Sequence, residues 1–316
     1  MRLDLSYVEN WSMMGDLVHR GEHCQACDRR LWAPTDARRL VGVTNQPAPP
    51  ALDVSSLRVG TVGLPWVRLD VVDETGSTNA DLLARSAAGT NIDGSVLVAE
   101  YQRAGRGRHG RQWSAPPRAQ IALSVGVDAA NVPPDAWGWL PLATGVAVVD
   151  VMSELCGIAV GLKWPNDVLA GGGKLAGILA EVASPRPVIV VGLGLNVTLT
   201  AEEAPDPFAT SLLMLGSPVI DRNVLLRAIL RALADRIGSW RAAKGADDTL
   251  AADYRRHSLT LGTRVRASLP GDRTIEGVAD AIDELGRLRI DTGEQMVTVS
   301  AGDITHLRPL DDSDSG

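Results

Sequence analysis

Gly105-Arg106-Gly107-Arg108-His109-Gly110-Arg111-Gln112-Trp113 follows the apolar run Ser95-Val96-Leu97-Val98-Ala99-Glu100-Tyr101. It precedes Ser114-Ala115-Pro116-Pro117 and then Gln120-Ile121-Ala122-Leu123-Ser124-Val125-Gly126-Val127. The glycines spell G-x-G-x-x-G, but a dinucleotide fingerprint needs a helix to open at once and offer its N-terminus to a pyrophosphate. Two prolines and a strand pattern follow instead, so the dinucleotide-fold reading fails on context and the stretch reads as a loop between two strands. Arg106, Arg108 and Arg111 each carry a charged planar fork of donors that matches phosphate and carboxylate oxygens, and glycine lets backbone N–H groups come close to a ligand. Either the loop closes over a phosphorylated or carboxylated ligand or it is a solvated basic loop; the other segments decide.

The chain has 316 residues, 45% hydrophobic and 22% charged, enough to bury a full core in one large domain with a smaller one beside it. A formal net charge of -7 argues against a general nucleic-acid binder, which needs a basic face. Cys24, Cys27 and Cys156 make no disulfide framework, and no basic-then-apolar signal peptide opens the chain; the expected compartment is the reducing cytoplasm. The longest apolar candidate for a membrane span, Leu142 to Met152, is interrupted by Asp150, so a soluble protein is expected. Residues 1–60 mix Trp11, Met13, Met14, Arg29, Arg30 and a Pro-rich stretch from Gln46 to Pro50 without helical or strand period, and read as a poorly ordered extension. His23, Cys24 and Cys27 fall short of a closed zinc site, which takes four ligands, and no second Cys pair exists.

From Trp66 the pattern sharpens. Trp66 to Val72 alternates like a strand, and Ser77-Thr78-Asn79-Ala80-Asp81 leads into a helix with Thr78 as N-cap, Asp81 three residues on and Gly89 as the stop. Ser77, Thr78 and Asn79 then stand where a strand becomes a helix, a place rich in hydroxyls and free backbone N–H groups. A helical stretch runs from about Ala136 to Cys156, its regular part starting at Pro141. Lys163-Trp164-Pro165-Asn166-Asp167 supplies a cation, an amide and a carboxylate suited to a Mg²⁺-bound nucleotide, although a polar loop at a strand end has the same composition. Gly171-Gly172-Gly173 turns the chain into a strand that begins at Lys174; Val168 stands where a Walker loop needs glycine. In the strand from Pro187 to Val197, Gly192 and Gly194 leave room for a flat ligand against the sheet, with Asn196 as a hydrogen-bonding tip. A helix follows over Val224 to Ile237 and a short one over Leu250 to His257. Short alternating runs at 263–269, 275–282, 288–290 and 296–299 then suggest a small barrel, before an acidic tail, 311–316, expected to be disordered.

Together these segments resemble the biotin protein ligase family. The resemblance rests on Ser77-Thr78-Asn79, Gln102, the Gly105 to Trp113 run, Lys163-Trp164-Pro165-Asn166-Asp167, Lys174 with Gly177-Ile178-Leu179, and Gly192-x-Gly194-x-Asn196, all in the family's order from about Trp66 to Arg308. It implies an α+β fold: a mixed β-sheet catalytic domain with flanking helices, of the class II synthetase-like biotin/lipoate ligase type, over 61–258, and a small C-terminal SH3-like barrel over 259–310.

The implied reaction takes biotin and MgATP to biotinyl-5′-AMP and moves the biotinyl group to a lysine of a biotin carboxyl carrier protein or domain. Carried over position by position, Ser77, Thr78, Asn79 and Gln102 resemble ligands of the biotin head. The loop Gly105 to Gly110, with Gly107, is similar to the segment that folds over biotin and adenylate, placing Arg106 and Arg108 near the acyl–phosphate junction. Arg111, Trp113, Lys163, Asn166 and Asn196 resemble ATP-binding positions, and Asp167 a metal or phosphate position. Gly177 and Gly194 resemble walls of the biotin site, and Lys174, with Arg108, is implied to be catalytic. The family's repressor members carry an N-terminal winged helix-turn-helix, whose paired amphipathic helices residues 1–60 lack, so no DNA role is expected. No membrane partner is expected, and monomer or homodimer is left open. Two alternatives weigh less: a lipoate or octanoyl transferase, whose Arg-Arg, Gly-Gly-Gly and His pattern is missing, and an Arg-Gly nucleic-acid binder, which the acidic balance opposes.

Overall fold

Alternation along the strands sorts side chains into two layers, and the difference between those layers makes the cavity. In the structure, a computed structural model that describes residues 49–269, 273–300 and 303–306, β1 (Arg68–Val72), β2 (Ser95–Ala99), β3 (Gln120–Asp128), β4 (Gly161–Lys163), β5 (Asp167–Ala170), β6 (Gly173–Val182) and β7 (Val188–Asn196) form one sheet. Its order is β1-β2-β3-β7-β6-β5-β4, with β1 and β2 parallel and the other pairs antiparallel. Ile121, Leu123, Val125 and Val127 of β3 and Ile189, Val191, Leu193 and Leu195 of β7 face the main core. Their period-two partners face the other way. There Val188 and Val190 pack with Leu82, Ile92 and Leu97 in a small second cluster, and the same row then turns to Gly192, Gly194 and Asn196.

The main core is closed by α1 (Val54–Gly60), α3 (Trp139–Val151), α4 (Arg222–Ala243) and α5 (Asp248–His257), while α2 (Thr78–Ala87) lies on the opposite face over β2, β3 and β7. Almost every residue of α3 is buried, as its all-round apolar sequence requires when the sheet, α4 and α5 surround it. The whole helical stretch Pro134–Cys156 is long and apolar enough to cross a membrane by composition, and in this fold it is the central core helix.

The expectation of poor order through residue 60 is corrected for its last part. Val54–Gly60 is helical, Asp53 caps it, and Leu52 and Leu57 are buried, because the Leu52 N–H is held by the Glu100 carboxylate (2.6 Å) and the Pro50 carbonyl by Arg222 (2.5 Å). Residues 1–48, with the zinc candidates Cys24 and Cys27, and the tail 311–316 lie outside the described residues. The N-cap of α2 is Ser77, whose hydroxyl accepts from the Ala80 N–H at 3.5 Å; the Thr78 cap expected from sequence is one residue late, which releases the Thr78 hydroxyl for other partners.

The C-terminal part is a five-stranded antiparallel sheet, β11-β10-β9-β8-β12, from β8 (Arg264–Leu269), β9 (Arg273–Ile282), β10 (Leu288–Asp291), β11 (Met296–Val299) and β12 (Asp303–His306). The last strand had no counterpart in the sequence reading. Val265, Ala267, Ala279, Leu288 and Ile290 join the main core, so the small sheet is packed onto the large one. Its 283–287 turn is anchored twice: Trp139 Nε1 donates to the Glu284 carbonyl (2.9 Å) and Trp164 Nε1 to that of Gly286 (3.0 Å). Burial would raise the Asp283 carboxyl that shapes this turn. Hydrogen bonds from the Arg287 side chain and from the backbone N–H groups of Arg287 and Leu285 outweigh it and hold the carboxyl below its ordinary value.

Candidate active site

Beside the first turn of α2 and the glycine-bearing parts of β6 and β7 a cavity of about 470 Å³ opens, within the size range of small-molecule sites. It is lined by Ser77, Thr78, Asn79, Gln102, Arg106, Gly107, Arg108, Arg111, Trp113, Lys163, Asn166, Asp167, Lys174, Gly177, Gly194 and Asn196. Of the sixteen site positions named from sequence besides Gly105, all sixteen therefore meet at one cavity. Gly105 stands behind it, its carbonyl accepting from the Trp113 N–H at 2.9 Å.

One end of the cavity is a network of neutral groups. Gln102 Oε1 accepts from both the N–H (2.9 Å) and the hydroxyl (3.1 Å) of Thr78, and the Ser124 hydroxyl bridges the Thr78 hydroxyl (2.7 Å) and Asn79 Oδ1 (2.6 Å). Asn79 Nδ2 donates to the Leu179 carbonyl (3.1 Å) and to Glu181 Oε2 (2.8 Å). Both donors of the Asn79 amide are thus used inside the protein, so this side chain shapes the pocket by pinning α2 to β6. Ser124 and Glu181 were missed from sequence; the one signal for Ser124 was a polar residue inside the apolar run of β3.

Cations hold the other end. Alternation alone would send Lys174 and Gly177 to opposite faces of β6, three residues apart. The pairing shifts, however: Lys174 lies opposite Leu169 and Ala176 opposite Val168, so Leu175 is an extra residue and both Lys174 and Gly177 face the cavity. The Lys174 ammonium lies 2.7 Å from Asp167 Oδ1 and 5.6 Å from the centroid of the Trp113 ring. Arg106 pairs with Glu181 (3.1 Å), and Arg108 donates to Asn166 Oδ1 at 3.5 Å. The loop is a small hairpin, with Gly107 N–H on the Arg111 carbonyl (2.7 Å) and His109 at φ 55° at its tip.

Two expectations about the walls are corrected. Gly192 and Gly194 do not present a bare sheet: a Cβ at 192 would lie 2.3 Å from Asn79 Oδ1, and one at 194 would lie 2.3 Å from Trp113 Nε1. The glycines make room for an amide and an indole, and that indole, which lines the cavity, is fixed by the hydrogen bond that its Nε1 donates to Gln120 Oε1 (2.5 Å). Asn196 is not a free tip, because its amide donates to the Thr210 carbonyl (2.9 Å) and so holds the segment 208–210 against the sheet. That segment brings Phe208, the single Phe of the chain and 69% exposed, to the mouth of the cavity. Among the described residues, no group of three or more His, Cys, Asp or Glu could hold a metal ion. Asp167 is the carboxylate beside the lysine, which suits a cation that arrives already bound to phosphates.

Residues 74–197 match the biotin/lipoate A/B protein ligase family and residues 260–307 the biotin protein ligase C-terminal domain. The chain is 58% identical over 264 residues to the biotin–[acetyl-CoA-carboxylase] ligase of Mycobacterium tuberculosis, covering 82% of this chain and 97% of that protein. It is 30% identical over 313 residues to the bifunctional ligase/repressor BirA of Bacillus subtilis, covering 96% of this chain and 90% of the relative. The biotin protein ligase from Aquifex aeolicus in complex with biotin and ATP superposes with a TM-score of 0.65 at 27% identity, over 77% of this chain and 99% of that one. With an extended relative at this identity and a cavity built from the matching segments, the chain belongs to the biotin/lipoate A/B protein ligase family.

Proposed function

We propose that this protein is a biotin–protein ligase. It joins the biotin carboxylate to the α-phosphate of ATP, releasing pyrophosphate, and then passes the biotinyl group to the ε-amine of a lysine on a biotin carboxyl carrier protein or domain, releasing AMP. The observation that carries this reading is the convergence of Lys174, Arg108 and Arg111, from two distant chain segments, on one cavity whose other end is a hydroxyl and amide pocket. Two anions must touch in the first step, and fixed cations remove the repulsion that would keep them apart.

The neutral end, with Ser77, Thr78, Gln102 and the pinned Asn79, takes the polar fused-ring head of biotin. Gly107, Trp113, Gly177 and Gly194 enclose the body of biotin, with Gly105 at the loop's root. Lys174 and Arg108 meet the carboxylate and the α-phosphate, Arg111 and Lys163 the outer phosphates, and Asn166 and Asn196 hold the nucleotide walls. Asp167 would stand beside a Mg²⁺ delivered with the triphosphate, and that ion would supply charge neutralisation there. In the second step the amine nitrogen attacks the acyl carbon, the bond to the phosphate oxygen breaks, and the nitrogen loses its proton. Until then the loop keeps water from a mixed anhydride. We assign the reaction to the cytoplasm, with no DNA or membrane partner and with monomer or homodimer as the working assembly.

Mass spectrometry after incubation with biotin and MgATP tests the reading: biotinyl-5′-AMP is expected, and lipoate should not compete in biotin-dependent ATP–pyrophosphate exchange. Absence of the adenylate would overturn it. Arg108→Ala is expected to release adenylate about tenfold faster in a trapping assay, at an unchanged melting temperature; equal retention contradicts the role of the loop. Gly194→Ala should force the Trp113 ring toward the biotin body at a cost of about 1–3 kcal/mol. The biotin KM should then rise about tenfold or more with a smaller change in kcat, and an unmoved KM would show that the indole does not form that wall.

A further inference from the structure

Glu181 sets a puzzle for a site that must gather two anionic reactants, because it adds a carboxylate at the edge of their cavity. It sits near the end of β6, on the face shared by Gly177 and Leu179, and opposite Val190 of β7. Its two oxygens are divided. Oε2 accepts from Asn79 Nδ2 at 2.8 Å, on the helix that carries the neutral pocket, and Oε1 meets Arg106 Nη2 at 3.1 Å, on the glycine-rich loop. One carboxylate on the sheet therefore ties together two walls of the pocket, the first turn of α2 and the glycine-rich loop. The Glu181 side chain is 21% exposed and that of Arg106 46%, so the pair is partly desolvated on one side. Arg108 and Arg111 belong to the same hairpin, so anchoring Arg106 at its root also limits where those two guanidiniums can go.

Resting on the ligase reading above, we infer that Glu181 is a positioning residue and that Arg106 is the loop's anchor to it, leaving Arg108, Arg111 and Lys174 to act on the reacting groups. The pair preorganises the loop before any ligand arrives, and so lowers the ordering cost that biotin would otherwise meet on binding. A partly exposed ion pair supports a modest effect rather than an all-or-none one.

The test is a double-mutant cycle of Glu181→Gln, Arg106→Gln and the double variant in the full-length protein. Biotin KM and kcat are read for pyrophosphate release, and hydrogen exchange of the 107–113 amides without ligand. Each single variant should raise the biotin KM about three- to tenfold with kcat within twofold. The double variant should be no worse than either single one, and the loop amides should exchange about tenfold faster in all three. Additive KM effects, a collapse of kcat in Arg106→Gln alone, unchanged loop exchange, or a lower melting temperature with an unchanged KM would each overturn the inference. Failure of the ligase reading is distinguishable: the unsubstituted protein would then release no pyrophosphate with biotin, while loop exchange would still report whether the Glu181–Arg106 pair holds the hairpin.

Discussion

Lys174→Ala slows biotin-dependent pyrophosphate release about 150-fold, the effect of removing about 3 kcal/mol of transition-state stabilisation, as for loss of one preorganised oxyanion donor. The lysine is fixed for that task. Its backbone N–H donates to the Phe208 carbonyl (2.5 Å) and its carbonyl accepts from the Thr210 N–H (3.0 Å). The bulge at Leu175 aims the side chain into the cavity, and Asp167 at 2.7 Å and the Trp113 ring at 5.6 Å hold the ammonium there. Charge builds on the oxygens around the α-phosphorus as the carboxylate attacks, so the loss belongs mainly to kcat. Lys174→Arg is expected to rescue little, because a planar fork on a longer arm does not put a compact charge at the same point. Steady-state pyrophosphate release with saturating biotin and ATP measures it. A rise in KM alone, with kcat intact, would move the lysine from the reacting atoms to ground-state binding.

Arg222→Ala lowers stability by about 3–5 kcal/mol, the cost of leaving a buried charge without its partner. Arg222 and Glu100 have side chains only 3% and 5% exposed and meet at 2.5 Å. The guanidinium also reaches the carbonyls of Gln120 (3.5 Å) and Pro50 (2.5 Å), and the other Glu100 oxygen holds the Leu52 N–H. This single pair joins the first turn of α4, the end of β2, the start of β3 and the segment from Pro50 to Leu52. A thermal melt should fall by about 10 °C. Replacing both members, as Glu100→Gln with Arg222→Met, should recover most of the loss, since the penalty comes from the orphaned charge more than from the missing attraction. A fall of less than a degree or two in Arg222→Ala would show that water reaches Glu100.

The pair also illustrates what could not be read along the chain. Glu100 and Arg222 are 122 positions apart and sit in local contexts that ask for nothing unusual. Neither Glu181, near the end of β6, nor Phe208, beyond β7, belongs to a motif or a periodic run that would single it out in the sequence. Trp113 was legible as part of a motif, but its position under Gly194 was not: small residues announce that something comes close without saying what. In each case the missing information was a contact between segments far apart in sequence.

Local physics alone was sufficient for other features. Period-two runs located β1 and four of the five C-terminal strands, because side chains of a strand alternate between faces whatever lies beyond them, while apolar strand-like runs and the Gly171–Gly173 turn located β3, β6 and β7. The order of the basic loop, the Lys163 to Asp167 run and the Gly-x-Gly-x-Asn segment named the chemistry, since charge and donor type are properties of the residues themselves. Direction and distance were decided only by the tertiary fold. A one-residue bulge turned Lys174 toward Gly177, an indole filled the space over Gly194, and a carboxylate on the sheet tied Arg106 to Asn79, because burial and pairing act between surfaces that the linear chain does not yet possess.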